Sequence, residues 1–440
     1  MIYKVFLKME EECNLFDFNI MNKIPLWDIL RMHIYLKYHF PDLKDDNNKV
    51  EKSFEFKSII AFFSSFFKSI YNFFNNKSAN FILPCSRYID DDGLYFDKAA
   101  MSIIENLVDD VFIFEYKSLN KEYKYKLINN YVVILKKIFR HKKKIPKKYF
   151  FKIKYALVEY FGECKIDYEE LNNIYNDYLF ELRYYKFILS LKKFKRIFIT
   201  QNGLQKGLIA AAKHLNIETY ELQHGSFEVD HLAYSYPNSI NYNSNIILQD
   251  YVITFSKYWG NYFNVPVKKM IPLGNDYFFN KPKLDSEDNS ILIISSIIHG
   301  EVLSDLAIKL SLDFPDRIIK FKLHSNEYGR IDIYTKKISH IKNIKIIKNE
   351  LEISQLIALS SLVILINSTV LYEALNQSKK VAIFKQVNYL GQQNVFNLPN
   401  VFVLEYVSEI RSILKIKNIE QESIFFNPFN KKKFKLILNS

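Results

Sequence analysis

Short apolar runs rich in β-branched and aromatic residues recur along the first half of the chain, and helical stretches separate them. The runs lie at residues 80–84 (NFILP), 111–116 (VFIFEY), 196–200 (RIFIT) and 219–223 (TYELQ), and each has the length of a buried strand. Residues 204–215 (LQKGLIAAAKHL) have the composition of a helix between the last two runs. This order is typical of a parallel sheet with right-handed crossovers. The first half is therefore predicted to be α/β.

The second half repeats this alternation of strands and helices. Its strand-like runs lie at residues 291–295 (ILIIS), 318–323 (IIKFKL), 344–347 (IKII), 362–366 (LVILI) and 380–384 (KVAIF). The sequence therefore predicts an α/β protein with two Rossmann-like domains facing a cleft. In open parallel sheets ligands bind at the carboxyl ends of the strands, so the residues directly after each run are the candidates for function.

The domain limits are predicted from composition. We expect an N-terminal domain over residues 1–278, with a helical and basic insertion at about 117–195. A polar stretch with a proline, residues 279–290 (FNKPKLDSEDNS), is predicted to be the linker. The C-terminal domain, which we expect to bind the donor nucleotide, then covers residues 291–424, and a basic and aromatic tail covers 425–440.

The composition limits the class of protein. With 440 residues, 49% apolar and 25% charged, the chain is neither wholly disordered nor a multi-span membrane protein. Lys and Arg number 61 against 48 Asp and Glu, and the net charge of +13 predicts attraction to phosphates, anionic sugars or anionic lipid. The cysteines Cys13, Cys85 and Cys164 have no C-x-x-C spacing, so no cysteine zinc site or disulfide framework is expected.

The sequence also bears on location. The first residues include acids where a secretory signal would need an apolar stretch, so we expect no export signal and a cytoplasmic protein. The apolar segment at residues 58–67 (SIIAFFSSFF) has about half the roughly 20 residues that a membrane-spanning helix requires. It is predicted to pack in the core or to rest on a membrane surface.

One candidate site follows the run at 219–223. His224 is placed there for acid–base chemistry or for contact with an anion, and Gly225 would let a ligand approach the backbone. The alternative is a histidine that is hydrogen-bonded within a turn.

A second candidate site follows two runs of the second half. His324 and Ser325 come directly after the run at 318–323, and Asn367, Ser368 and Thr369 come after the run at 362–366. A Ser-Thr pair at the start of a predicted helix, residues 370–376, presents two hydroxyls and backbone N–H groups to a phosphate. The alternative is an ordinary N-cap.

Three consecutive aspartates follow the first run. Asp91 and Asp92, next to Gly93, would supply a general base because neighbouring like charges raise one pKa. Asp90 and Asp92 could also bind a divalent metal. The alternative is a solvated acidic turn closed by the glycine.

Taken together, these residues resemble bacterial glycosyltransferases of the GT-B fold that build capsule and lipopolysaccharide. The most distinctive stretches are 221–237 (ELQHGSFEVDHLAYSYP), 250–260 (DYVITFSKYWG) and 271–275 (IPLGN), and the resemblance covers roughly residues 80–390. It implies a nucleotide-sugar donor as substrate and no bound cofactor. It also implies charge neutralisation by helix N-termini and side chains, so that no metal is required.

Within this group, sialyltransferases and Kdo transferases use a CMP-activated acidic sugar. The resemblance implies that Asp91 or Asp92 is the catalytic base, with His224 as a competing base or donor contact. His324 and Ser325 would match a His-Pro motif that contacts the nucleotide, although Ser325 stands where proline is expected.

The same resemblance implies further contacts with the donor. Ser368 and Thr369, beside Asn367, would match a motif that holds the donor phosphate. Glu373, one turn into the following helix, stands where such enzymes contact the donor ribose, and Gly225 belongs to the expected donor contacts.

A basic stretch at residues 136–154 (KKIFRHKKKIPKKYFFKIK) contains ten Lys and Arg and no acid. Basic residues among aromatics suit an anionic membrane surface or a nucleic-acid backbone, and we favour the membrane because no nucleic-acid-binding motif accompanies them. The predicted membrane or acceptor contacts are Lys142, Lys143, Lys144, Lys147 and Lys148. The alternative is a solvated surface of a lysine-rich protein.

The sequence therefore predicts a cytoplasmic glycosyltransferase, peripheral at the inner membrane, that adds an acidic sugar from a CMP donor to a surface glycan. Its expected partners are the donor, a glycan or lipid-linked glycan acceptor and an anionic membrane surface, without nucleic acid. The alternatives are a UDP-sugar transferase, a polyol-phosphate transferase, or an inactive GT-B-like protein that binds glycan or acts as a scaffold.

Overall fold

The structure is a computed structural model of the chain. It describes residues 2–20, 23–39, 69–90, 92–107, 110–115, 121–139, 141–227, 231–242, 244–262, 264–280, 289–385, 392–420 and 422–439. The apolar segment at 58–67 and Asp91 lie outside the described residues.

The chain divides into two compact units, and it passes between them four times. The first unit contains residues 1–254, 262–273 and 430–440, and the second contains residues 255–261 and 274–429. Most of the predicted linker, residues 281–288, lies outside the described residues, and the predicted domain limits stay predictions. Residues 274–278 belong to the second unit, where the Asn275 amide donates to the Asn427 carbonyl at 2.9 Å. Residues 430–440 belong to the first unit.

The first unit is built on a parallel sheet. Its helices are α1 (Ile2–Glu12), α2 (Leu26–His39), α3 (Met101–Leu107), α4 (Val132–Phe139), α5 (Lys147–Phe161), α6 (Tyr168–Ser190) and α7 (Lys206–His214). Its strands are β1 (Asn19–Ile20), β2 (Ile24–Pro25), β3 (Asn80–Leu83), β4 (Tyr88–Ile89), β5 (Tyr95–Phe96), β6 (Phe112–Glu115), β7 (Ile128–Asn129), β8 (Arg196–Thr200), β9 (Glu218–Leu222), β10 (Tyr251–Thr254) and β11 (Lys269–Pro272). Seven of the described strands form the main sheet in the order β11-β10-β9-β8-β3-β6-β7, while β1 with β2 and β4 with β5 form antiparallel pairs.

The second unit also contains a parallel sheet with helices between its strands. The helices are α8 (Asp276–Phe279), α9 (Gly300–Asp313), α10 (Ile331–Ile338), α11 (Ile353–Leu359), α12 (Val370–Asn376) and α13 (Ile410–Lys415). The strands are β12 (Ser290–Ile294), β13 (Ile318–Lys322), β14 (Ile344–Ile347), β15 (Ser360–Leu365), β16 (Val381–Phe384) and β17 (Val401–Leu404). The described strands pair in the order β14-β13-β12-β15-β16-β17.

The chain ends with helix α14 (Lys431–Asn439), which belongs to the first unit. Its Phe434 is 1% exposed and packs against Phe198 of β8, with ring centroids 6.1 Å apart. The predicted tail is therefore divided, because residues 425–429 belong to the second unit.

The cores explain why these sequences form strands. Every residue of β8 and of β12 is buried, as expected for central strands covered by helices on both faces. Helix α6 packs closely on α7, and Gly207 allows this because a Cβ there would overlap with Glu181. The prediction of two Rossmann-like sheets is confirmed.

Candidate functional site

Each sheet has a topological switch point. The strands that follow its first central strand along the chain are added on one side of that strand, and the later ones are added on the other side. In the first unit this point lies between β3 and β8, and in the second unit between β12 and β15. The loops that leave neighbouring strands diverge at a switch point and open a crevice at their carboxyl ends, where open α/β sheets bind ligands. The protein therefore has two candidate sites, the β3–β8 site in the first unit and the β12–β15 site in the second.

The β3–β8 site is organised around Asp97, which is 2% exposed. One carboxylate oxygen accepts hydrogen bonds from the Cys85 amide after β3 (2.8 Å) and from the Thr200 hydroxyl at the end of β8 (2.7 Å). The other accepts from the Ala99 amide at 2.9 Å. Burial raises the pKa of Asp97 although these hydrogen bonds oppose it. Asp97 therefore joins the two strands at the switch point.

Glu115 ends β6, the neighbour of β3. Its two oxygens accept hydrogen bonds from the Ser86 amide and hydroxyl, both at 2.6 Å. Burial raises the pKa of Glu115 to about 7, with a smaller contribution from the charge of Asp97. A carboxyl with this pKa exchanges a proton readily at neutral pH, which is the property of a general acid or base.

His224 follows β9, the neighbour of β8 on the other side, in the place that the sequence predicted. Burial is the main reason that its pKa falls to about 3, and the nearby Arg87 and His231 contribute to the same shift. Nδ1 is buried and has no hydrogen-bond partner among the described residues. The ring is therefore neutral at physiological pH, and Nδ1 can accept a hydrogen bond from a bound molecule.

Two backbone features accompany His224. Gln201, directly after β8, has a left-handed backbone with φ of 69°, a conformation that a non-glycine residue rarely adopts. The side chain of Gln223 donates to the carbonyl of Gly225 at 2.9 Å, which closes the turn after β9. The strained residue lies at the switch point, where backbone strain is typical of a binding site.

The stretch after His224 is fixed by buried charges from the N-terminal helices. Arg31 of α2 pairs with Glu10 of α1, and both side chains are almost fully buried. The same guanidinium donates to the carbonyls of Leu232 (2.8 Å) and Ser235 (2.6 Å), and it stacks over Tyr236. This arrangement holds residues 232–236 in one conformation beside the end of β9.

The β12–β15 site begins with the loop after β15. Asn367 is exposed, and Ser368 and Thr369 are partly buried. The Ser368 hydroxyl accepts a hydrogen bond from the Val370 amide at 3.3 Å, as in an N-cap, and its carbonyl accepts one from the Gln392 side chain at 2.9 Å. Ser368 and Thr369 directly follow β15, one of the two strands that form the switch point.

Helix α12 is anchored by the residue next to Glu373. The Tyr372 ring packs against Trp259 and Phe425, with centroids 4.7 and 5.0 Å away. Glu373 lies half-buried in the first turn of the helix.

His324 lies after β13, separated from the β15 loop by strand β12. Neighbouring strands are about 4.8 Å apart, so the two chain segments leave the sheet about 10 Å from each other. His324 Nδ1 accepts from the Asn326 amide at 3.2 Å, and its own amide donates to the Glu327 carboxylate at 2.9 Å. Because Nδ1 is an acceptor, the neutral ring carries its proton on Nε2. His324 and Ser325 are exposed.

Glu327 joins the ends of β12 and β13. It is 1% exposed and accepts hydrogen bonds from the hydroxyls of Ser295 (3.0 Å) and Tyr334 (2.5 Å). Gly300, at the start of α9, touches this cluster, and a Cβ there would overlap with the Tyr334 hydroxyl and the Glu327 carboxylate. The backbone of α9 is thus held close to the carboxyl edge of the sheet.

The predicted acidic motif forms the turn of a hairpin. Asp90 accepts hydrogen bonds from the amides of Asp92 (3.1 Å) and Leu94 (2.9 Å) and pairs with Lys124, while Gly93 has a positive φ of 80°. Asp92 is exposed at the tip of this turn. These contacts account for the Asp-rich sequence by turn geometry, and the catalytic roles of Asp91 and Asp92 stay predictions.

The five predicted contact lysines are exposed. Lys142, Lys143 and Lys144 lie in the loop between α4 and α5, and Lys147 and Lys148 begin α5. The loop is fixed on α6, where Asn176 exchanges two hydrogen bonds with the Lys143 backbone and Asn172 accepts from the Ile145 amide.

Asp97, Glu115 and Gln201 were not among the residues predicted from the sequence. Glu115 lies inside the predicted strand at 111–116, and a carboxylate at the end of a buried strand is a signal that could have identified it. Asp97 and Gln201 carry no such signal, because their placement depends on strand order.

No helix among the described residues is long and apolar enough to cross a membrane. No group of three or more His, Cys, Asp or Glu side chains in the same part of the chain is arranged to hold a metal ion.

Comparison with solved structures supports the fold. The chain is similar to the UDP-GlcNAc 2-epimerase of Methanocaldococcus jannaschii in complex with UDP-GlcNAc and UDP, with a TM-score of 0.51 and 15% identity. The match covers 82% of this chain and 99% of that chain. A second structure of that enzyme gives a TM-score of 0.50, 14% identity and the same coverage. No protein-family model and no curated protein sequence matches the chain. The fold is GT-B-like.

Proposed function

We propose that the chain transfers a sugar from a nucleotide-sugar donor to a growing cell-surface glycan. One observation carries the proposal: each sheet has polar side chains at the carboxyl ends of the strands that form its switch point or lie next to it, and this is where this fold class binds its ligands. The M. jannaschii enzyme of the same fold was solved with UDP-GlcNAc and UDP, which are nucleotide ligands of the proposed kind.

The second unit is proposed to bind the donor. The hydroxyls of Ser368 and Thr369, beside Asn367, would donate to phosphate oxygens, and His324 would donate through Nε2, assisted by Ser325. Glu373 would accept hydrogen bonds from the donor ribose, as the resemblance implies. These are neutral donors, so binding would depend on hydrogen bonds and on the net positive charge of the chain.

The first unit is proposed to supply the proton acceptor. During transfer, the bond between the sugar carbon and the donor phosphate breaks and a bond to the acceptor oxygen forms. The acceptor proton would pass to Glu115, and the nucleotide would leave with the broken bond's electrons. We rank Glu115 ahead of Asp92 because Asp92 lies in an exposed turn. His224, with its low pKa, would accept a hydrogen bond and remain neutral.

The donor is proposed to be a CMP-activated acidic sugar of the Kdo or sialic acid type, with a UDP-sugar as the alternative. The test is calorimetry with CMP and UDP, followed by incubation with CMP-Kdo, CMP-sialic acid and UDP-sugars while nucleotide release is measured. Binding of one nucleotide and acceptor-dependent release support the proposal. Absence of binding and turnover with all of them would favour an inactive scaffold.

A matched pair of variants localises the binding. Ser368→Ala with Thr369→Ala should weaken nucleotide binding at least tenfold, because two hydroxyl donors are lost. Ser339→Ala removes an exposed hydroxyl that donates to the Thr335 carbonyl in the same unit, and it should leave binding unchanged. Equal affinities of the two variants would contradict the proposed phosphate site.

A second candidate function is epimerisation of a UDP-sugar, favoured by the likeness to a UDP-GlcNAc 2-epimerase. Epimerisation breaks and remakes a carbon–hydrogen bond, so incubation with UDP-GlcNAc in D₂O would place deuterium on the sugar. Transfer would instead release nucleotide only when an acceptor is present.

A further inference from the structure

The outer face of helix α5 is apolar at its centre. On the inner side, Ile153, Ala156 and Leu157 are buried in the core of the first unit. On the outer side, Phe151 is 60% exposed, Tyr155 69% and Val158 43%. A helix that has already buried one face has no structural reason to carry three large apolar residues on the other.

The three exposed residues form one stripe. At 3.6 residues per turn, Val158, Phe151 and Tyr155 fall within about 60° of the helix circumference. Exposed lysines flank the stripe on both sides. Lys147 and Lys154 lie along one edge, and Lys148 and Lys152 lie along the other together with one exposed acid, Glu159.

The first turn of α5 contains lysines where helices usually have acidic residues. Acidic residues are favoured there because the helix N-terminus carries partial positive charge, yet α5 begins with Lys147 and Lys148 and has no acid in its first turn. The exposed lysines Lys142 to Lys144 add more positive charge in the preceding loop, which α6 holds in place. A local rule broken without a structural gain indicates a functional requirement.

We propose that this face of α5 docks on the surface of a bilayer that contains anionic lipids. The apolar stripe would enter the boundary between headgroups and acyl chains, and the flanking lysines would extend towards the lipid phosphates. This inference goes beyond the proposed function and does not depend on it. A nucleic acid would use the same lysines, but it would gain little from Val158.

The test is co-sedimentation of the full chain with two kinds of vesicle. One contains phosphatidylcholine alone, and the other contains phosphatidylcholine with about 30% phosphatidylglycerol, which gives a strong negative surface charge. We expect binding to the anionic vesicles at least tenfold above the neutral ones, and its loss in high salt. Each Lys148→Gln or Lys152→Gln change should lower the partition coefficient about fivefold.

The apolar stripe is tested by Phe151→Ser with Tyr155→Ser, which should lower binding at least tenfold. The control is Phe187→Ser on α6, a similarly exposed phenylalanine, which should leave binding unchanged. Circular dichroism melting verifies that both variants fold.

Three outcomes would overturn the inference. The first is no binding to anionic vesicles, and the second is equal binding to neutral and anionic vesicles. The third is binding that ignores the Phe151 and Tyr155 changes, particularly if single-stranded RNA competes for the protein.

Discussion

Glu115 and His224 follow strands of the same sheet, yet they differ in what they can do at neutral pH. Glu115 has a pKa of about 7, so both its forms are populated. His224 has a pKa of about 3 and stays neutral. Burial causes both shifts, because removal from water disfavours the charged form of either group. At this edge of the sheet, the carboxyl can exchange a proton and the imidazole can orient a ligand.

The first prediction concerns activity. Glu115→Gln keeps the size of the side chain but removes the proton acceptor, so kcat should fall by about 10²–10⁴-fold. The wild-type rate should rise with pH up to about 7, where Glu115 becomes ionised, and the variant should lack this dependence. Steady-state rates of nucleotide release measure both effects. They are taken across pH 5–9, about two units on each side of the Glu115 pKa.

The control for this experiment is Glu122→Gln, which changes an exposed glutamate of the same unit. Its rate and pH profile should match those of the wild type. A Glu115→Gln variant with unchanged kcat would exclude Glu115 as the general base.

The second prediction concerns stability and needs no substrate. The folded chain raises the pKa of Glu115 from 4.5 to about 7, so the folded state binds this proton more tightly than the unfolded state. The resulting stabilisation is complete below about pH 4.5 and is lost as the pH rises through about 7. Glu115→Gln should therefore gain stability relative to the wild type by up to about 1.4 kcal/mol per pH unit in this window.

Urea unfolding of both proteins measures this gain. The measurements run from about pH 4 to about pH 8, so that they extend beyond both the unfolded and the folded pKa of Glu115. The chain has two tryptophans, Trp27 in the first unit and Trp259 in the second. In a Trp259→Phe background, fluorescence therefore follows the unit that contains Glu115. A stability difference that stays constant with pH would contradict the prediction.

The sequence located several elements well because buried strands have a clear signature. The predicted runs at 196–200 and 344–347 agree with β8 and β14 to the residue, and the predicted helix at 370–376 agrees with α12. Strands β10, β11 and β17 were not predicted, although YVIT in β10 carries the β-branched composition of a strand. Strand order could not be predicted from the sequence, because it depends on contacts between residues that are far apart along the chain. The residues at the switch points could therefore not be grouped from the sequence.

The third prediction concerns the start of helix α9. Gly300→Ala adds a methyl group where the Tyr334 hydroxyl and the Glu327 carboxylate already lie, so the second unit should lose about 1–3 kcal/mol of stability. Gly329→Ala is the control, because a Cβ there meets no atom of the described residues within 4 Å. Trp259 fluorescence in a Trp27→Phe background measures unfolding of this unit. Equal destabilisation by the two variants would contradict the close packing of Gly300 against Tyr334 and Glu327.

The whole chain is organised so that neither unit is a continuous segment. The sequence predicted a linker at residues 279–290, since polar residues and proline are typical of one. In the structure, residues 255–261 and 274–278 belong to the second unit and residues 430–440 to the first. These assignments depend on packing such as that of Phe434 against Phe198, which has no signature in local composition.

The fourth prediction tests this organisation. Phe434→Ala removes a buried ring and should destabilise the first unit by about 3–5 kcal/mol, while the second unit should unfold as in the wild type. Leu436→Ala, at a position of the same helix that is 71% exposed, should cost less than about 0.5 kcal/mol. The two single-tryptophan backgrounds report the two units separately. A loss of stability confined to the second unit would refute the assignment of α14.

The position of α14 bears on how the protein is made. A ribosome completes residues 1–273 long before it adds residues 430–440, so the nascent first unit leaves Phe198 without its covering ring while the second unit is synthesised. Chaperones that bind exposed apolar surface would have their longest access to the protein during this interval. A chain that lacks α14 would therefore be damaged in the portion that was translated first.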